Sequence, residues 1–570
     1  MHMKHRGTAA LLPAGMLAAL ALHPHTAAAQ SAEQLQSIES QINALQAEIR
    51  QMKLEMAQRD AALREAQAEA SAARRQATVA VAHTQQLETT VAHAPPPQIV
   101  YAPPPGPPPP PPPPPLPTGS FRLGAVTVTL GGFAAGEGVY RSRNEAASID
   151  TNFNTGIPLP NSPNYHVPEY RETAQQSRFS LLAQARVDDT QKLTSYMETD
   201  FLSAGSSSNS NQSNSYTLRL RQFWGEYDNS DWGLHVIGGQ AWSLATLYSK
   251  GLLPRSENVP LTIDAQYVVG FDWERQAQFR VVEDFDHQKY WLGFSAEEPQ
   301  TTFSGAAGPN CLTGAAAPTA IGGSDLEYTA CGGSNVNSIQ AYSDNVAPDL
   351  IAKFAADPGF GHYELYGLLS FLGGRVSNPA SGTGTNYNTT GEGVGAGMIL
   401  PVIRNRLNFQ VSGLIGVGVG RYGTAQLPDA TFSPTGKLEP IPDYSIMGGF
   451  VAHPTPKLDV YTYGGAEGAK PKYYTQGSVN SGYGNPNVNL AGCEVELGTC
   501  NASTSAVVEA TIGAWYRFLK GSYGTLEFGA QYEYIARNTF EGVGATKGST
   551  LSPSTNENAV LISFRYLPFN

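Results

Sequence analysis

The sequence predicts an all-β transmembrane barrel of about 16 antiparallel strands over residues 118–570, preceded by an N-terminal α-helical coiled coil and a polyproline linker. Three observations carry that reading. From about Thr118 onward apolar and polar residues alternate in twos, as in Val560-Leu561-Ile562-Ser563-Phe564-Arg565-Tyr566. The connections between alternating runs are in turn short and long. In that region no apolar stretch is long enough for a membrane helix, so a membrane would have to be crossed by strands.

Residues 1–29 read as a secretory signal: His2, Lys4, His5 and Arg6 form a basic start, an apolar run spans residues 9–22, and Ala27-Ala28-Ala29 offers a small-residue cleavage site. A signal-anchor helix is the alternative, and Pro13 interrupts it. Export removes Lys4 and Arg6 from the 36 basic residues and no acid from the 48, leaving a net charge of −14. Such a balance argues against nucleic acid as a partner. Four cysteines fall in two local pairs, Cys311 with Cys331 and Cys493 with Cys500, each inside a Gly/Ser/Ala-rich stretch. An oxidising compartment makes these two loop disulfides, and no Cys-x-x-Cys spacing or adjacent histidine points to a metal instead.

Residues 31–94 keep a seven-residue repeat. Leu35, Ile42, Ile49, Met56, Leu63, Ala70, Ala77, Thr84 and Val91 hold one core position; Ile38, Leu45, Met52, Arg59, Ala66, Ala73, Ala80 and Leu87 hold the other. A repeat sustained over this length implies a left-handed coiled coil, whereas an isolated amphipathic helix would let its stripe drift. Ile or Leu at both positions of the first heptads is compatible with three strands, so the segment is expected to trimerise. Residues 95–117 contain an unbroken proline run from Pro107 to Pro115 and predict an extended, semi-rigid spacer. Coil plus spacer could extend on the order of 150 Å at 1.5 and 3.1 Å per residue.

The remainder carries sixteen strand candidates, beginning near residues 125, 178, 192, 215, 232, 265, 289, 347, 361, 392, 406, 443, 457, 505, 524 and 557. An even number returns both ends to one side. Tight connections are expected near Asp188, Asp228, Asp357, Ile403, Pro454 and Lys520; in an outer-membrane barrel the short turns face the periplasm, which places the coil there too. Tyr216, Trp224, Trp273, Trp291 and Tyr534 are candidates for interfacial girdles. A secreted soluble all-β protein is the alternative. Faces such as Leu526, Phe528, Ala530, Tyr532 and Tyr534 would be hard to hide in one soluble core.

Taking apolar side chains as lipid-facing assigns the opposite parity to the lumen. Phe179, Leu181, Ala183 and Val187 face lipid, which turns Arg178, Gln184 and Arg186 inward. Glu198 and Asp200 lie opposite Met197 and Phe201. Leu218 and Leu220, with Tyr216 and Trp224 on the same face, put Arg219 and Arg221 inside, and Phe279 and Val281 do the same for Arg280. Arg275 shares the parity of Phe279 and needs a bulge or a rim position to reach water. Rows of guanidinium groups favour carboxylates and phosphates; the bland reading is a charge network in which Glu198 and Asp200 neutralise the arginines. The third long connection, residues 242–262, carries Lys250, Arg255 and Glu257 and is a candidate to fold inward and narrow the barrel, or to be an ordinary surface loop.

Catalytic motifs do not hold up. Gly418-Val419-Gly420-Arg421-Tyr422-Gly423 fits a dinucleotide fingerprint on paper, yet Pro428, Pro434 and Pro440 crowd the helix it should open. No zinc-protease motif or nucleophile elbow occurs. His362, with Glu364 two residues on, reads as a strand residue rather than a base. No catalytic residue, cofactor or metal is expected.

The order of signal, coiled coil, linker and barrel resembles the DcaP-like trimeric outer-membrane porins. Local matches are Thr129-Leu130-Gly131-Gly132-Phe133, Ser177-Arg178-Phe179, Glu198-Thr199-Asp200-Phe201, Arg219-Leu220-Arg221-Gln222, Gly239-Gln240-Ala241-Trp242-Ser243 and Arg275-Gln276-Ala277-Gln278-Phe279-Arg280, all within residues 120–285. The resemblance implies a homotrimer in outer-membrane lipid that passively admits small anionic solutes, dicarboxylates above all, with Arg178, Arg219, Arg221 and Arg280 in the channel wall. The long proline run and the ending Pro568-Phe569-Asn570 depart from the family pattern. The rival function is a structural tether, in which the barrel anchors a coil that contacts peptidoglycan or another periplasmic partner.

Overall fold

The structure is a computed structural model and describes residue 116 and residues 118–202, 213–304, 319–320, 327–329, 331–333, 341–378, 380–477 and 479–569. The expected signal, the coiled coil and the linker apart from Leu116 lie outside the described residues, as does Cys311; of residues 319–343 only backbone is described.

Sixteen strands follow one another as antiparallel neighbours. They are β1 (Val126–Arg141), β2 (Arg178–Arg186), β3 (Gln191–Asp200), β4 (Arg219–Asn229), β5 (Leu234–Trp242), β6 (Arg275–Phe285), β7 (Tyr290–Glu297) and β8 (Asp349–Ala356). The series continues with β9 (His362–Asn378), β10 (Thr383–Ile403), β11 (Leu407–Val417), β12 (Pro442–Thr455), β13 (Leu458–Ala469), β14 (Thr504–Gly521), β15 (Gly524–Thr539) and β16 (Ser554–Leu567). The last strand pairs with the first, Ala134 with Tyr566 through Arg141 with Ala559, and closes the barrel. Closure removes the free edge that an open sheet would expose. Where β16 has ended, the short strand Ser120–Leu123 covers the start of β1.

Seven connections on one rim are short, and local chemistry sets them. Asp188 Oδ1 accepts the backbone N–H groups of Thr190 and Gln191 at 2.9 and 2.7 Å. Asn229 Oδ1 does the same for Asp231 and Trp232, ahead of Gly233 at φ +63°. Long connections lie at the other rim, including residues 142–177, 243–274, 298–348, 418–441 and 470–503. In the fifth of these Cys493 and Cys500 form a disulfide.

The outer face is apolar in the predicted parity: Val560, Ile562, Phe564 and Tyr566 point outward, as do Phe279, Phe294, Leu365, Val394 and Ile415. Phe279 is 80 % exposed, and a side chain of that kind gains about 1.5–3 kcal/mol on leaving water, which a lipid environment supplies. Among the described residues no helix is long and apolar enough to cross a membrane.

Two expectations need correction. The sixth strand begins at Arg275 rather than near 265, because residues 265–274 belong to the third long loop, where Gly270 at φ +87° breaks the extended run. Trp224, Trp291 and Trp273 do not form a girdle. Trp224 and Trp291 are buried inside the barrel and Trp273 packs on Trp242 and Tyr267 within the third loop, whereas Tyr534 does face outward. The cause at Trp224 is a β-bulge: Glu198 pairs with Gln222 and Thr199 with Leu220, so Arg221 is the extra residue and every side chain beyond it changes face. Gly239, at φ +128°, fits the opposing strand against Phe223, where a Cβ would lie 2.4 Å from the Phe223 oxygen. The Gln240 amide caps the freed carbonyls of Leu220 and Arg221 at 3.3 and 3.1 Å.

Candidate functional site: a charged chamber under the third loop

The third loop, residues 243–274, folds into the barrel. Leu244, Ala245, Tyr248, Leu252, Ile263, Val268 and Phe271 are buried there against wall residues from around the circumference. Inward apolar residues such as Ile237, Leu368, Met447, Trp515 and Leu561 therefore serve a core inside the barrel, not lipid outside it. Backbone donors of the loop are taken up by wall side chains. Leu244 N–H bonds Glu297 at 2.8 Å, Tyr248 bonds Glu364 at 2.9 Å, Ile263 bonds Gln531 at 2.6 Å, Val269 bonds Glu509 at 2.8 Å and Gly270 bonds Glu467 at 2.7 Å. A buried irregular segment needs such partners for its orphan N–H groups, and here acidic wall residues supply most of them.

Between this loop and the wall of β2–β5 and β16 a chamber of about 310 Å³ remains. Its charged lining comprises Arg178, Arg221, Arg255 and Arg565 against Glu198, Glu257 and Asp264. On the wall, Arg221 bonds Glu198 at 2.6 Å and Asp200 at 2.7 Å, and Arg219 clamps Asp200 through two bonds of 2.9 Å. Arg178 reaches Glu198 only at 3.7 Å, and its buried Nε has no hydrogen-bond partner. Arg565 pairs with Glu137 at 2.7 Å and lies over the Phe133 and Trp515 rings.

From the loop side, Arg255 lies over the Tyr196 ring, and Tyr267 receives bonds from Arg221 at 3.3 Å and Arg275 at 3.4 Å. Burial acts to raise the Tyr267 hydroxyl, but the guanidinium groups of Arg221, Arg275 and Arg178 outweigh it and hold the hydroxyl below the usual phenol value. Burial pushes the Glu257 carboxyl up to about 7 and that of Asp264 up to about 6. Arg255 and Tyr267 both have left-handed backbone, φ +72° and +75°. That conformation costs on the order of 1–3 kcal/mol for a residue with a side chain and persists only where packing holds it.

The sequence-predicted residues divide clearly. Arg178, Arg219, Arg221, Glu198 and Asp200 gather at one wall with Arg255 and Glu257 facing them. Arg186 is exposed beside the short-turn rim, and Lys250 is exposed on the loop away from the chamber lining. Arg280 points inward but is 1 % exposed, with its donors given to Tyr248, Leu252 and Trp242 of the loop and its root. Arg275 reaches the interior from the first position of β6, lying 4.9 Å over both Trp242 and Trp273. Arg421 belongs to no dinucleotide loop: a 3-10 turn, Gly420–Tyr422, holds it against Asp349. Tyr267 escaped sequence reasoning because it lies in a segment that reads as strand.

A scan against protein-family models finds no match to this sequence, and a search of the curated proteins finds none. Among solved structures, the chain is similar to the outer membrane channel DcaP of Acinetobacter baumannii at a TM-score of 0.50 and 17% identity, covering 78% of this chain and 97% of that one. The likeness is one of fold: a closed barrel of the outer-membrane channel type. An anion-selective porin from Comamonas acidovorans matches at a TM-score of 0.41 and 10% identity, with 78% and 99% covered. OmpT of Vibrio cholerae, in its trimer form, matches at 0.39 and 11%, with 78% and 100% covered.

Proposed function

We propose that the chain is an outer-membrane porin for passive diffusion of small hydrophilic solutes, with a preference for anions such as dicarboxylates. The observation that carries this reading is the chamber: a loop folded into a closed barrel leaves a polar space of about 310 Å³ bordered by four arginines, Arg178, Arg221, Arg255 and Arg565, and three carboxylates. Burial pushes the half-buried Glu257 up to about 7, so at neutral pH it is only partly charged and the lining carries a larger net positive charge.

Arg178 is the leading solute contact. Its side chain is 25% exposed, its ion pair is long and its Nε is unsatisfied, so it has donors to offer a carboxylate. Arg221 and Arg219 act first as partners of Glu198 and Asp200 and contribute to the field behind it. In this reading the apolar band faces outer-membrane lipid, three copies assemble through the N-terminal coil, and that coil lies in the periplasm with the short turns.

Reversal-potential measurements on the purified protein in planar bilayers under a potassium chloride gradient test the proposal. A chloride-biased potential, together with faster liposome swelling in a dicarboxylate than in a cationic solute of matched size, is expected. Cation bias, or a membrane left impermeable by correctly folded protein, overturns it.

A further inference from the structure

A second polar cluster lies well down the wall from the chamber, beside the short-turn rim of β4 and β5. Glu226 and Asp228 stand two residues apart on β4 and so share its inner face, and His235 on β5 is the direct cross-strand partner of Asp228. One donor atom from each of the three lies within 4.8 Å of the others, and all three residues are buried. Glu226 is 8% exposed, and its Oε1 has no hydrogen-bond partner. Its other neighbour is the Asp228 carboxyl, with which it shares a side-chain hydrogen bond; two buried carboxylates this close need either a shared proton or a metal ion between them.

The imidazole is placed for that role. His235 Nε2 lies 3.1 Å from Asp284 Oδ2 on β6, and Nδ1 lies 2.6 Å from Asp228 Oδ1. If Nε2–H donates to Asp284, Nδ1 presents a lone pair toward an oxygen that also has only lone pairs. Either a second proton or a metal ion must lie between them. A carboxylate–histidine pair of this kind is the usual support for a metal-ligating imidazole. Zinc bound at about 2.0–2.2 Å sets its ligand atoms roughly 3.3 Å apart, so the Nδ1–Asp228 contact of 2.6 Å must open for the ion to enter. Lys192 approaches Asp228 Oδ2 at 3.1 Å, but its side chain is 42% exposed, so its ammonium borders the cluster from the water side.

We infer that Glu226, Asp228 and His235 form a binding site for a divalent transition-metal ion, with zinc the best match to one imidazole and two carboxylates, and with Asp284 positioning the imidazole. Two carboxylates neutralise the ion, water completes a tetrahedral shell, and binding releases the second proton that Nδ1 otherwise carries. The ion ties β4 to β5 on the lumen side. This site is independent of the solute chamber and of the direction of its selectivity.

The test uses the full-length protein in detergent, stripped with a chelator and titrated with Zn²⁺ against a chromophoric competitor. Expected is a zinc site that His235→Gln and Glu226→Gln each abolish and that Asp284→Asn weakens about 10- to 100-fold, with each variant still migrating as a heat-modifiable folded barrel. Folded variants that bind zinc as the parent does overturn the assignment. Because His83 and His93 belong to the same chain, zinc-edge X-ray absorption of the stoichiometric parent complex gives a readout that needs no variant. One imidazole with oxygen neighbours supports the site, and a shell of several imidazoles or of oxygen alone overturns it.

Discussion

Arg280 donates a 2.6 Å hydrogen bond to the hydroxyl of Tyr248, joining the barrel wall to the loop that fills it. The same guanidinium bonds the carbonyl oxygens of Leu252 and Trp242 and the side chain of Gln278, and it is closed off from solvent. Its role is to hold the loop in place.

Arg280→Met should therefore loosen the loop without first changing charge selectivity. Each buried acceptor left without its donor costs about 1–3 kcal/mol. The expected outcome in planar bilayers is larger or noisier single-channel conductance at an ion preference close to that of the parent, with a lower unfolding temperature. Unchanged conductance and stability would refute the clamp.

Arg178 and Arg221 should respond differently to truncation. Arg178→Ala removes a partly exposed charge and is expected to shift the chloride-to-potassium permeability ratio toward unity with little loss of stability. Arg221→Ala leaves Glu198 and Asp200 short of a partner, so it should move selectivity further toward cations and destabilise the barrel as well. Reversal potentials of the two variants, read beside thermal melts, separate the roles.

Selectivity should depend on pH through Glu257. Burial pushes its carboxyl up to about 7, so the group is charged at pH 8 and neutral at pH 6. As pH falls through 7 the chamber loses one negative charge and anion preference rises. Glu257→Gln should remove the part of the change centred near pH 7 and leave the part near pH 6 that Asp264, in the same lining, supplies. A parent protein whose reversal potential is constant from pH 8 to 6 would exclude Glu257 as the titrating group.

Gly465 on β13 allows the loop to lie against the wall, because a Cβ there would sit 1.7 Å from the carbonyl oxygen of Val269. Gly465→Ala should lift the loop by forcing this contact apart, at about 1–3 kcal/mol. Looser gating with an intact barrel is expected in bilayer recordings and electrophoretic mobility. A variant that records and melts as the parent does would show that the loop tolerates displacement.

Most strand positions were legible because a barrel with an apolar outer face writes its pattern locally: every second side chain lies on that face, and turns such as Asp188–Gln191 use side-chain acceptors drawn from their own residues. Thirteen of the expected starts need only small adjustment, and the larger shifts have physical causes. β10 begins at Thr383, before its apolar band, because Asn and Thr continue the hairpin beyond it. The parity rule placed Glu198, Asp200, Arg219 and Arg221 on the inner face. It failed for Trp224, since one bulged residue reverses every later side chain and leaves no mark in the alternation itself.

The sequence by itself determined the barrel class and the strand order, and set Arg178, Arg219, Arg221 and Arg280 opposite the apolar face, since each depends on a period of two and on neighbours along the chain. Tertiary structure alone decided what those arginines do. Arg178, Arg221 and Arg255 border one chamber while Arg280 is spent on the loop, because a loop of some thirty residues crosses the lumen and bonds to strands far away in sequence, including Glu467, Glu509 and Gln531. Inward-facing is a local property; accessible to a solute depends on what else the chain places there.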